Sequence, residues 1–125
     1  MSAQELPALT EVRAALEASG LHVSFPVEIR VAPADDALLS TAHGRDSLYL
    51  AFHTHRDADH LAYFALLEPI LRAHDGRPHW GKLHTRTAAD LAPAYPRFGE
   101  FLAMRDRLDP DRVFANHHLT RVLGD

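Results

Sequence analysis

Leu21-His22-Val23-Ser24-Phe25-Pro26-Val27-Glu28-Ile29-Arg30-Val31-Ala32 is the stretch that decides the fold class. Val23, Phe25, Val27, Ile29 and Val31 alternate with His22, Ser24, Pro26, Glu28 and Arg30. A period of two predicts a strand over residues 21–32 with one apolar and one polar face. Glu28 and Arg30 then share the polar face, about 7 Å apart along the strand. Pro26 has no N–H to give a ladder and marks an edge or a bulge. On its own, such an i, i+2 pair is most often a solvated ion pair of little stabilising effect.

On either side of this strand the pattern turns helical. Residues 2–19 carry Leu9, Val12 and Leu16 on one stripe, with Ser2 and Glu5 at capping-box spacing and Gly20 placed to close the helix in a left-handed conformation. Downstream, Ala34-Asp35-Asp36 and His43-Gly44-Arg45-Asp46 read as turns, and Ser47 to His55 reads as a second strand. Residues 57–74 predict a helix capped by Asp57 or Asp59, with Leu61, Phe64, Ala65 and Leu71 inward and Pro69 as a kink. Arg77 to Leu83 reads as a third strand and its exit. Thr87 and Asp90 have capping-box spacing, and Pro96 to Leu108 predicts a helix with Phe98, Phe101, Leu102 and Leu108 inward. The remaining residues read as an irregular tail with an apolar end at Leu119, Val122 and Leu123. The order α-β-β-α-β-α implies an α+β fold, a small antiparallel sheet with helices packed on one face.

The totals narrow the function classes. A chain of 125 residues with 46% hydrophobic and 24% charged residues has the size and composition of one globular domain. A net charge of -4 supplies no basic field for nucleic acid. No Cys is present, so disulfides and thiolate metal sites are excluded. Apolar runs fall far short of the ~18–20 residues of a membrane span, and the N-terminus lacks the basic and apolar regions of a signal peptide. The expectation is a cytoplasmic protein.

Pro78-His79-Trp80-Gly81-Lys82-Leu83-His84 holds the only Trp and the only Lys; the other twelve basic residues are Arg. A lone ammonium beside an indole, two imidazoles and a Gly suits a ligand that approaches the backbone. The same pattern also reads as a turn after a buried strand, with Trp80 in the core and Lys82 in water. Of ten histidines, seven fall between His43 and His84. His53, His55, Asp57, Asp59 and His60 nearly match the zinc motif H-x-H-x-D-H, but position 58 is Ala. A catalytic zinc needs three or four convergent ligands, so no metal is expected and a zinc hydrolase is disfavoured. Glu28, Arg30, His53 and Lys82 each fall on or at the end of a predicted strand. On one shared sheet they would present a carboxylate, an imidazole and two cations to a polyhydroxylated substrate or an anionic ring.

Phe25-Pro26-Val27-Glu28-Ile29-Arg30, Gly44-Arg45-Asp46-Ser47, Gly76 to His84, Tyr95-Pro96 and Arg105-Asp106-Arg107-Leu108-Asp109-Pro110 resemble the C-terminal portion of the sugar-lactone and alditol oxidases. These are flavoenzymes of the vanillyl-alcohol-oxidase group, which includes D-arabinono-1,4-lactone oxidase, L-gulonolactone oxidase and alditol oxidase. The resemblance runs from about Glu5 to Gly124. It implies that Glu28 and Arg30 bind and position substrate, that His53 faces substrate, and that Lys82 lies at the flavin and the reacting C–OH. It implies that His79, Trp80 and Gly81 form part of the same wall. The cofactor implied is FAD, and the substrate a sugar lactone or an alditol.

Family members also carry an N-terminal flavin-binding domain with phosphate loops. No Gly-rich phosphate loop occurs in these 125 residues. The expectation is therefore a single substrate (cap) domain over residues 1–125, with FAD held mainly by a domain outside it, such as a separate FAD-binding chain. Alone it would carry half an active site. The alternative is a non-catalytic remnant that binds a sugar acid or a partner chain.

Overall fold

The computed structural model describes residues 5–125, and the capping residue expected at Ser2 lies outside them. The chain divides into two compact units. One contains the described residues up to Pro33 together with Asp46–Gly76; the other contains Ala34–Arg45 together with Arg77–Asp125.

In the first unit, α1 spans Glu5–Ser19 and ends at Gly20, whose φ of 68° is the left-handed conformation that glycine adopts without penalty. β1 (Glu28–Ala32) and β2 (Ser47–Ala51) pair antiparallel, and α2 covers Leu61–Ala73. Val12 of α1 and Tyr63 and Leu67 of α2 form the buried centre, joined by Leu16, Leu21, Val23, Phe52 and Phe64. The strand expected over residues 21–32 is therefore only its last five residues. Leu21 and Val23 leave the alternation to pack on the helices, and the break falls at Pro26, which has no ladder donor.

The face that strand was expected to bury stays largely open. Ile29 is 50% exposed, Val31 72% and Phe25 44%. In α2 the inward stripe is Tyr63 and Leu67, one turn apart, with Phe64 and Leu71 beside it. Leu61 and Ala65, expected inside, are exposed. They sit two residues from the buried pair, which is ~200° around the helix. α2 also begins later than expected, at Leu61, where the Asp59 carboxylate accepts the Leu61 N–H at 2.9 Å. The helix runs through Pro69 and ends in a Schellman arrangement: Asp75 N–H donates to Arg72 O (3.1 Å) and Gly76 N–H to Leu71 O (2.8 Å), with Asp75 at φ 56°.

The second unit holds three helices: α3 (Ala88–Leu91), α4 (Phe98–Leu108) and α5 (His117–Leu123), with one 3-10 turn at Ala92–Ala94. The predicted capping box forms, with Thr87 N–H donating to the Asp90 carboxylate at 3.0 Å. Leu91, Tyr95, Phe98, Val122 and Leu123 are the core, and Phe101, Leu102 and Trp80 pack against it. Leu108, expected inward, ends α4 72% exposed. The tail expected to be irregular contains α5, opened by the Asn116 side chain accepting the Leu119 N–H at 3.0 Å.

The α+β class with one small antiparallel sheet holds. The third strand does not form: Arg77 to Leu83 is a turn, and the sheet has two strands. The backbone donors of this segment are used locally, Lys82 N–H to His79 O (3.0 Å) and Gly81 N–H to His79 Nδ1 (3.1 Å). Its side chains bind other backbone instead of a partner strand: Trp80 Nε1–H donates to Leu39 O at 2.8 Å, and Arg77 donates to Ala94 O (2.8 Å) and His43 O (2.9 Å).

Candidate functional site

The first group of predicted site residues lies on the sheet of the first unit. Glu28 faces Ala51 across the ladder and Arg30 faces Tyr49. His53 follows Ala51 by two residues, so alternation puts Glu28, Arg30, Tyr49 and His53 on one face. The Arg30 Nε–H donates to Glu28 Oε1 at 2.6 Å, and His53 Nε2 lies 3.6 Å from Glu28 Oε2. The Arg30 hydrogen bond holds the Glu28 carboxyl below the usual carboxylate range, with a smaller contribution from His53. The result is a carboxylate that still faces water, next to a guanidinium that is itself largely exposed. That pairing can accept from one hydroxyl and donate in a fork to another oxygen.

The second group lies in the second unit. The turn at His79-Trp80-Gly81-Lys82 is seated by its aromatic residue. The Trp80 ring lies 4.8 Å from Tyr95 and 6.5 Å from Phe98, centroid to centroid, and Tyr95 O–H donates to Pro78 O at 3.2 Å. Lys82 projects from this anchored turn into solvent, and among the described residues its ammonium has no ion-pair partner. Gly81 is open too: an added Cβ would meet only the His79 ring, at 3.6 Å. Gly81, Lys82, Leu83 and His118 line an open depression.

Residues 77–83 add no strand to the sheet, so Lys82 does not stand on the polar sheet face expected to carry it with Glu28, Arg30 and His53, and each group is described within its own unit. The histidines of the near-zinc motif are dispersed in role. His53 pairs with Glu28, His55 Nδ1 lies 3.4 Å from Asp57 Oδ2, and the His60 ring lies 5.6 Å from Phe64. Among the described residues no group of three or more His, Cys, Asp or Glu is placed to hold a metal ion. Nor is any of their helices long and apolar enough to cross a membrane.

Sequence reasoning passed over Tyr49 and His118. Tyr49 is placed opposite Arg30 only by the strand register, which two alternating segments do not reveal. His118 reaches Trp80 across 38 positions of sequence, and no local signal marks that contact.

Residues 2–122 match the family described as D-arabinono-1,4-lactone oxidase. The chain is 50% identical over 104 residues to an L-gulono-1,4-lactone dehydrogenase of Mycobacterium tuberculosis, covering 83% of this chain and 24% of that protein. It is 41% identical over 120 residues to the L-gulonolactone oxidase of Bos taurus, covering 92% of this chain and 27% of that protein. Against an alditol oxidase of Streptomyces it is 40% identical over 97 residues, 77% of this chain and 23% of that one. The chain thus spans about a quarter of the length of the curated relatives it matches. With the match running over nearly the whole chain, the protein belongs to the D-arabinono-1,4-lactone oxidase family of aldonolactone and alditol oxidases.

Proposed function

We propose that residues 1–125 act as the substrate-binding (cap) portion of an FAD-dependent oxidoreductase acting on the CH–OH groups of aldonolactones or alditols. The observation that carries this is the sheet face on which the Arg30 Nε–H fixes the Glu28 carboxylate at 2.6 Å while leaving it open to solvent. Glu28 accepts from substrate hydroxyls, Arg30 donates to a ring or carbonyl oxygen, and His53 borders the same face.

The donor set at residues 79–82 fits the redox ring of a flavin. An exposed ammonium without a protein partner complements negative charge, and the open backbone at Gly81 admits a planar group. His79, Trp80, Gly81 and Lys82 are the residues assigned to that contact. The chain offers no Gly-rich loop for the pyrophosphate, which is therefore assigned to protein outside these residues, such as a separate FAD-binding chain. When bound, FAD supplies hydride acceptance from the substrate carbon. Lys82 stabilises negative charge as it develops, while Glu28 and Arg30 fix which carbon is presented. The whole fits a cytoplasmic enzyme.

The test is reconstitution with a flavin-binding portion of the family. Lys82→Met keeps length and removes charge, and loss of such a donor typically lowers turnover by about 10²–10³. Glu28→Gln should mainly raise KM for the sugar. Turnover in Lys82→Met within about twofold of the parent would sink the reading, being far short of what a charge-stabilising donor contributes.

A further inference from the structure

The turn that carries Lys82 is gripped from the C-terminal helix. Arg121 of α5 donates through one terminal nitrogen to His84 O (3.0 Å) and Arg86 O (2.8 Å), and its other terminal nitrogen lies 3.2 Å from His118 Nδ1. A guanidinium can only donate. His118 Nδ1 is therefore the acceptor and bears no proton, which leaves Nε2–H as the donor. That nitrogen lies 2.9 Å from Trp80 O. The peptide so held joins Trp80 to Gly81, one residue before Lys82. The base of α5 is fixed in turn, because Val122 and Leu123 are buried and Asn116 caps its first turn.

We infer that His118, oriented by Arg121, is a positioning residue for Lys82. The inference rests on the role given to Lys82 above. A lysine has a flexible four-carbon stem, so where its ammonium spends its time depends on how firmly its backbone is held. The local turn supplies two bonds from within, Lys82 N–H to His79 O and Gly81 N–H to His79 Nδ1. Trp80 ties the turn to Leu39 on one side. His118 supplies the restraint on the Trp80–Gly81 peptide itself, and its ring lines the depression from which Lys82 emerges. No chemical step passes through His118; it acts by orienting backbone.

Two measurements test this. In the isolated chain, long-range proton–nitrogen NMR of the imidazoles should show His118 as the Nε2–H tautomer with an unprotonated Nδ1. An Nδ1–H tautomer or a doubly protonated ring would overturn the relay. In the reconstituted enzyme, His118→Ala should lower kcat by about tenfold to 10²-fold, the scale set by ~1 Å misplacement, with KM for the sugar little changed. His118→Gln should recover most of that loss, since one amide can donate to Trp80 O and accept from Arg121. In a Lys82→Met background His118→Ala should cost nothing further, whereas a purely structural role would remain additive. If Lys82→Met is impaired but His118→Ala is not, or if the Gln and Ala variants fall alike, positioning by His118 is refuted alone. If Lys82→Met turns over normally, the reading of Lys82 fails and this inference fails with it.

Discussion

Removal of the Arg77 guanidinium should measurably destabilise the second unit. Its Nε–H donates to Ala94 O at 2.8 Å and one terminal nitrogen donates to His43 O at 2.9 Å, with Thr41 O further off at 3.3 Å. The guanidinium also lies 5.3 Å from the Tyr95 ring centroid. One side chain thus fastens the 34–45 segment and the turn before α4 to the entry into residues 78–82. A hydrogen bond with one charged partner contributes ~1.5–3 kcal/mol. Arg77 is only half-buried, so the lower end applies, and the two short bonds together give about 3 kcal/mol. Arg77→Met keeps the stem and loses the donors. Arg77→Lys keeps the charge but can reach only one of the two carbonyls, so it should lose roughly half as much. The lone Trp80 packs in this unit's core, so its fluorescence during urea unfolding reports on this unit alone. A loss below about 1 kcal/mol in Arg77→Met, less than one such bond, would refute the argument that Arg77 fastens these segments.

Three further outcomes follow from single contacts. Tyr63 is 6% exposed and its hydroxyl is buried without a partner among the described residues, so Tyr63→Phe should stabilise the chain, by up to about 1–3 kcal/mol. Burial also pushes the Tyr63 pKa up, so parent stability should fall as pH rises past ~10 while the Phe variant is spared that loss; equal alkaline denaturation of the two would contradict this. In Gly76→Ala the new Cβ would stand 2.6 Å from Leu71 O, and relieving that overlap should cost ~1–3 kcal/mol by urea midpoint in circular dichroism; an Ala variant as stable as the parent would show the α2 terminus yields freely. In Arg30→Met the Glu28 carboxyl should titrate at higher pH than in the parent, because the bond that depresses it is gone, and an unchanged carbon-13 titration midpoint would remove Arg30 as the cause.

What the sequence disclosed was local. Gly20 and the Thr87–Asp90 pair each act within four residues, and both behave as their spacing indicates. Glu28 and Arg30 fall on one face because alternation is enforced by the backbone itself. The failures are non-local. Residues 77–83 read as a strand and its exit, but Arg77 and Trp80 spend their side-chain donors on carbonyls 34 and 41 positions away, and no neighbouring strand pairs with the segment. The inward face of α2 is rotated from the one its leucines indicate, since Tyr63 goes inside at the expense of its hydroxyl while Leu61 is left in water. α5 was readable after all: Asn116 is a preferred N-cap, and Leu119 and Val122 keep helical spacing.

The Glu28–Arg30 pair shows how magnitude separates structure from site. Its side chains are 41% and 73% exposed, and an exposed pair of this kind contributes only ~0–1 kcal/mol. The strand beside it already leaves Ile29 and Val31 in water, so this corner is not arranged for stability of the chain by itself. What the pair does provide is preparation. Arg30 fixes the Glu28 carboxylate in direction, so on the proposed reading less ordering is needed when a substrate hydroxyl binds. The same logic holds in the other unit, where the Trp80 side chain and His118 hold the backbone just before Gly81 while Lys82 stays without an ion-pair partner among the described residues. In both places the anchoring bonds are made within the unit and the charge faces solvent, as the proposed substrate and flavin contacts require.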